Sequence, residues 1–216
     1  RVWAEIPWKG SAGVYFAALG LGFMFLEVSL IQRLTLFLGY PTYSLTVTLF
    51  ALLVSTGLGS LLSERLANRR NAALRSLAVG LVLLVLVYQR GLPLLAATGI
   101  GWPFSLRVVV AVVVLLPLGL CLGVFMPLGL RTVAAVTRYG EEFVAWSWAV
   151  NGFFSVVSSV LATILSMTFG FDRVMLAGAL VYVVGIVALL RIPAPARALD
   201  QTASGRGVDE DVARFA

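Results

Sequence analysis

The sequence predicts an all-α integral membrane protein: a bundle of six transmembrane helices with both termini in the cytoplasm. Three observations lead there. Of 216 residues, 60% are hydrophobic and 12% charged, whereas soluble domains carry about 25% charged residues, and the mean hydropathy is +0.99. Six apolar segments, at 12–38, 43–63, 73–91, 105–130, 144–169 and 173–191, are each long enough to span a hydrocarbon core, which takes about 20 helical residues. Twelve of the 16 Lys and Arg residues fall on one side of those spans, which predicts that side to be cytoplasmic. Lipid offers no water to unpaired backbone groups, so each span must be helical, and none alternates as a barrel strand would.

Residues 1–11 read as a cytoplasmic segment, 12–191 as the transmembrane domain and 192–216 as a polar tail. The chain opens on Arg1, the expected mark of processing or of a longer polypeptide. The first apolar run exceeds a signal-peptide core and lacks a small-residue cleavage site, so it reads as mature structure. Within it, "LGFMFLEVSLIQRLTLFLGYPTYS" sets Glu27 amid apolar residues and follows it with Gln32 and Arg33. Glu27 lies about 22 Å from the cytoplasmic end at about 1.5 Å per residue. A carboxylate this deep costs about 3 kcal/mol on insertion scales and needs an inward-facing partner. Gln89 and Arg90 on the third helix match its depth and are the expected partners, either as a structural pair or as a cation or proton site. Arg33 is off that face and is expected to snorkel to the far interface.

The second helix carries Ser55, Gly59 and Ser63 at four-residue steps, and the fourth carries Gly119 and Gly123. Such spacing lets membrane helices approach closely. Between the second and third helices, "ERLANRRNAALR" concentrates Arg65, Arg69, Arg70 and Arg75, a solvated topogenic loop that could also meet anionic lipid head groups. The link 92–104 is apolar with Gly, Pro and Trp, and is expected to lie along the far interface with Trp102 as a belt residue. "GVFMPLGLR" places Pro127 near the cytoplasmic end of the fourth helix, where a kink is expected, and Arg131 at the interface. Glu141 and Glu142 read as solvated loop charges. The fifth helix, "WSWAVNGFFSVVSSVLATILS", opens on interfacial Trp146 and Trp148. It then presents Asn151, Ser155, Ser158 or Ser159, and Ala162 as one small, weakly polar face, suited to helix packing or to a polar solute pathway. The tail after residue 191 turns to Pro, Ala and charge, a composition that a partner protein would have to hold in place.

Several functions are excluded or unsupported. With no histidine, histidine-based metal or haem ligation and Ser-His or Cys-His nucleophile pairs are absent, and the single Cys121 permits no internal disulfide. The net charge of +6 arises between apolar runs, not in a stripe with interleaved aromatics, so nucleic acid is not an expected partner. Gly20 and Gly22 do not follow a strand and lack the context of a dinucleotide or adenosylmethionine site. The sequence points to no catalytic residue, cofactor or metal. The expected partners are the lipid bilayer and other membrane subunits, and no particular solute is indicated.

"LGLGFMFLEVSLIQRLTLFLGYPTYSLTVTLFALLVSTGLGSLLS", "GVFMPLGLR" and "WSWAVNGFFSVVSSVLATILSMTFGFDRV" together resemble the carboxy-terminal membrane portion of bacterial proteins that fuse transmembrane helices to a spermidine-synthase-like domain. The resemblance covers about residues 15–190. It implies helices similar to those of major-facilitator transporters, in a bacterial cytoplasmic membrane, with adenosylmethionine-type chemistry confined to a soluble domain that this sequence lacks. Glu27, Gln32, Arg33, Pro41, Pro127, Arg131 and Asn151 match the family's stretches without an assigned role. The expectation is a non-catalytic, polytopic membrane subunit of a larger complex. The alternatives are a half-transporter for a cationic solute such as a polyamine, and an anchor for a separate aminopropyltransferase-like enzyme.

Overall fold

A computed structural model describes residues 7–193, and all regular structure among them is helical. The elements are α1 (Lys9–Leu38), α2 (Pro41–Leu66), a 3-10 turn (Ala67–Arg69), α3 (Arg70–Gly99), α4 (Phe104–Ala135), α5 (Gly140–Phe169) and α6 (Phe171–Leu190). Five helical stretches are long and apolar enough to cross a membrane, because α2, the short turn and α3 run together as one stretch of 59 residues. The tail beyond residue 193 lies outside the described residues, as do residues 1–6.

The short connections have local causes. Gly39 takes φ +94°, open to glycine at little steric cost, and returns its N–H to the Thr35 carbonyl at 2.9 Å. Pro41 then sits at the start of α2, where its missing N–H has no helical partner to lose. Gly170, at φ +86°, is the whole connection between α5 and α6.

α1 is the central helix and touches all five others, most extensively α6 and α5, while α2 packs chiefly on α4. Its most apolar stretch is accordingly 61% buried, against 17% for that of α5. Tyr15, Phe16, Leu26, Leu30 and Leu34 of α1 join Phe125, Leu118 and Met175 in one core. Small residues set the spacing between helices. A methyl group on Gly123 would lie 2.7 Å from the Thr56 carbonyl carbon, and one on Gly59 would lie 3.0 Å from that of Leu120, so α2 and α4 meet backbone to backbone. Gly119 faces Ser55 in the same seam.

Two expectations need correction. The link 92–104 does not lie along the interface as a separate segment, since α3 continues through Pro93 to Gly99 and only residues 100–103 are non-helical. Pro93 cannot donate to the Gln89 carbonyl, and Arg33 Nη1 approaches that oxygen at 3.4 Å instead. Trp102, at the end of this stretch, is partly exposed and meets Phe37 edge to face. Glu141 and Glu142 are not loop charges. They form the first turn of α5, where carboxylates favour the positive end of the helix dipole. Pro117 and Pro127 both lie inside α4, which continues through them as one helix.

Candidate functional site

The polar residues within this apolar bundle gather in three places, and the largest group differs from the one expected. Glu27 is 7% exposed, yet among the described residues it forms no hydrogen bond or ion pair with Gln89, Arg90 or any other group. Arg90 turns outward instead. Gln89 is taken by Arg33, whose Nη2 donates to Gln89 Oε1 at 2.9 Å. Arg33 also pairs with Asp172 at the start of α6, and Gln89 Nε2 donates to the Asp172 carbonyl at 2.8 Å. Arg33 therefore does not snorkel outward, since its side chain is only 8% exposed. Three elements meet through this one guanidinium: α1, the proline-interrupted part of α3, and the α5–α6 corner.

Asp172 escaped the sequence reading because an acid in a first helical turn satisfies the helix dipole and asks for no further explanation. A usable signal was present all the same. Pro93 leaves a carbonyl without its helical donor four residues earlier, at Gln89, level with an arginine on a neighbouring span.

The second polar place is the corner where α3 begins. Arg70 was expected to be solvated with Arg65, Arg69 and Arg75. Those three are exposed, but Arg70 is 4% exposed. It donates to the Ile192 carbonyl at 2.6 Å, to the Pro193 carbonyl at 3.3 Å and to Thr132 Oγ1 at 3.2 Å. Ile192 and Pro193 lie just past the end of α6 at Leu190, and a guanidinium has donors enough to serve several acceptors at once. Arg107 closes the carbonyl end of α1 itself, donating to the Phe37 carbonyl in its last turn at 3.0 Å. Charge counting along the chain cannot separate such buried caps from solvated topogenic arginines.

The third place is a cleft of about 510 Å³ between α2 and α4 on one side and α1 and α5 on the other. Asn151 and Ser155 of α5 line it, facing Thr56 and Ser60 of α2. Neither α5 side chain is free. Asn151 Nδ2 donates to the Phe16 carbonyl at 3.2 Å and Ser155 Oγ to the Asn151 carbonyl at 2.9 Å. Ser158 Oγ adds a bond to the Leu21 carbonyl at 2.8 Å. Gly20 allows this approach, because a methyl group there would stand 2.9 Å from Ser155 Oγ. No Asp, Glu, Lys or Arg is among the cleft's lining residues. Pro127 lines it too, and Trp148 stands exposed near its mouth.

Elsewhere the polar chemistry is sparse. Cys121 is a free, buried thiol 3.5 Å from the Leu77 carbonyl. Among the described residues no group of three or more His, Cys, Asp or Glu side chains is placed to hold a metal. Arg131 pairs with Glu64 at 2.9 Å, with 45% and 72% of the two side chains exposed. Exposed pairs of this kind contribute at most about 1 kcal/mol. Glu64→Gln should therefore shift the unfolding midpoint in detergent by no more than a few degrees, a change readable by differential scanning fluorimetry.

Long apolar helices, a core organised around a central span and polar groups turned inward fit the class of all-helical, multi-pass membrane proteins. No family model, curated protein or solved structure matches the chain.

Proposed function

We propose that this chain is a non-catalytic membrane module: six transmembrane helices with both termini cytoplasmic, set in a bacterial cytoplasmic membrane and packed against other membrane subunits. The resemblance to the membrane portion of spermidine-synthase-like proteins agrees with that reading and supplies no catalytic residue to this chain. The observation that carries the proposal is a second small-residue stripe on α5. Gly152, Ser159 and Thr163 recur at helical spacing, with Gly152 and Thr163 exposed and Ser159 half-buried, and a methyl group added at Gly152 would meet nothing within 4 Å. The first stripe of α5, through Asn151, Ser155 and Ser158, is consumed by α1. In lipid, where apolar surface alone gives helices no reason to associate, small residues that admit a close backbone are what a second helix needs.

Polyamine transport makes a different demand, a carboxylate facing a wet cavity. Glu27 lies outside the lining of the cleft and of the recess at the opposite end of the bundle. It has no cation within ion-pair distance among the described residues. Glu27→Gln should leave both assembly and the unfolding midpoint nearly unchanged, within about 1 kcal/mol of the parent. The check is spermidine uptake into proteoliposomes beside gel filtration of the solubilised protein. Uptake by the parent protein that the Gln variant abolishes would overturn the module reading.

A further inference from the structure

The cleft among α1, α2, α4 and α5 holds a hydroxyl that the fold leaves unused. Its volume of about 510 Å³ falls within the range of about 300–1,000 Å³ over which proteins enclose small ligands. The gap exists because α2 packs on α4 while α5 packs on α1, so that α2 and α5 stand apart across it. Leu53 of α2 and Trp148 of α5 are exposed on its two edges.

The serine and threonine hydroxyls on its walls are already engaged. Thr56 Oγ1 donates to the Leu52 carbonyl at 2.7 Å, Ser60 Oγ to the Gly57 carbonyl at 2.8 Å and Ser155 Oγ to the Asn151 carbonyl at 2.9 Å. Each spends its hydrogen within its own helix. Tyr182 differs. Among the lining residues it alone comes from α6, and its ring reaches the cleft across Gly22 of α1, where a methyl group would stand 2.8 Å from Cε2. The residue is 2% exposed, yet its hydroxyl forms no hydrogen bond with another described residue. Sealed polar atoms without a partner do occur among the described residues, at Arg33 Nε, Thr48 Oγ1, Arg107 Nε and Ser166 Oγ, and the Tyr182 hydroxyl is not one of them. It therefore opens on the cleft that the residue lines.

Two other buried tyrosines show what such a hydroxyl does when the fold provides for it. Tyr15 donates to the Phe125 carbonyl at 2.5 Å, and Tyr88 donates to the Val114 carbonyl. The same bond, to a carbonyl oxygen, is what Tyr182 has left to make. With no Asp, Glu, Lys or Arg among the lining residues, nothing there would neutralise a charged ligand, and burying an unpaired charge is costly.

We infer that the cleft binds a compact, uncharged, membrane-soluble molecule bearing a carbonyl oxygen, with the Tyr182 hydroxyl as its donor and Leu19, Phe23, Leu122 and Met126 among its apolar walls. The entrance lies between α2 and α5.

The test is equilibrium dialysis of the full chain in detergent, read against protein-free micelles, with two probes. Menadione is a neutral naphthoquinone, and 2-methylnaphthalene has the same fused rings and methyl group without a carbonyl. Menadione should bind saturably, one per chain, and about fivefold more tightly than its hydrocarbon counterpart, the worth of one neutral hydrogen bond. Tyr182→Phe should erase that advantage and leave 2-methylnaphthalene binding as it was. Its unfolding midpoint should match the parent's, because the hydroxyl has no partner within the fold to lose. Gly57→Leu should abolish binding of both probes, since Gly57 lines the cleft and a methyl group added there would meet nothing within 4 Å. That change fills the space without disturbing a helix contact. The inference is overturned by no saturable binding of either probe, by equal affinities in the parent, or by a menadione affinity that either variant leaves unchanged. A midpoint lowered by Tyr182→Phe would overturn it too, since the hydroxyl would then be bonded within the protein.

Discussion

Arg70→Ala is expected to lower the stability of the solubilised protein by about 3 kcal/mol or more. The guanidinium is 4% exposed and serves the Ile192 and Pro193 carbonyls together with Thr132 Oγ1. Removing it strands buried acceptors, each costing about 1–3 kcal/mol when left without a donor. The loss is also local, because these bonds tie the start of α3 to the chain as it leaves α6. Limited proteolysis should therefore cut near residue 191 before the rest of the bundle opens, and the unfolding midpoint should fall. Arg70→Lys should recover only part of the loss, since an ammonium keeps the charge but not the planar fork that reaches two carbonyls. Equal midpoints for Arg70→Ala and its parent would mean that these carbonyls find other donors and that Arg70 is, after all, only a topology signal.

The second large effect is expected at the α2–α4 seam. Gly123→Leu forces a side chain into the Thr56 backbone, where even a methyl group would stand 2.7 Å from the carbonyl carbon. Side chains can rotate away from an intruder, but a helix backbone can only separate. The cost should reach about 3 kcal/mol, the upper end for overpacking, and α2 should detach from α4 before α1 leaves α5 and α6. Gly80→Ala is the control, since a methyl group there meets nothing within 4 Å, and exchanging Gly for Ala inside a helix is neutral or mildly stabilising. Thermal unfolding in detergent, with a fluorophore pair on α2 and α4, distinguishes general loosening from opening of this one seam.

These two sites mark how far the sequence could be read. The helices were legible because hydropathy and length are local properties, and each apolar segment falls within a helix, apart from one residue at the last boundary. The small residues at Gly59, Gly119, Gly123 and Asn151 were also legible as packing positions, since helical spacing alone puts them on one face. Which helices they bring together was not. The choice of α4 for α2, and of α1 for α5, depends on three-dimensional arrangement that periodicity does not encode.

Charged residues were the hardest to read. Depth matching suggested Gln89 as a polar partner for the first helix but attached it to Glu27 in place of Arg33. Depth counts residues along an axis and ignores the direction in which each side chain points. Arg70 and Arg107 count only as topology signals along the chain, although Arg70 holds the chain just past α6 and Arg107 the carbonyl end of α1. The prolines held a better clue than the charges. Where Pro93 removes a donor, the structure supplies an arginine, and that pairing ties α1 and α3 to the α5–α6 corner.

The central claim is that the uncovered face of α5 receives another membrane protein. Its most direct test is site-directed crosslinking in native membranes from Val156→Cys and Met167→Cys, two positions on that helix that are 71% and 84% exposed, followed by mass spectrometry of the gently solubilised product. The account predicts one heterologous membrane protein joined in stoichiometric yield to both positions, with Cys121, buried in the core, giving no adduct. Recovery of the chain alone, with both cysteines reacting only with lipid-soluble reagents, would contradict it.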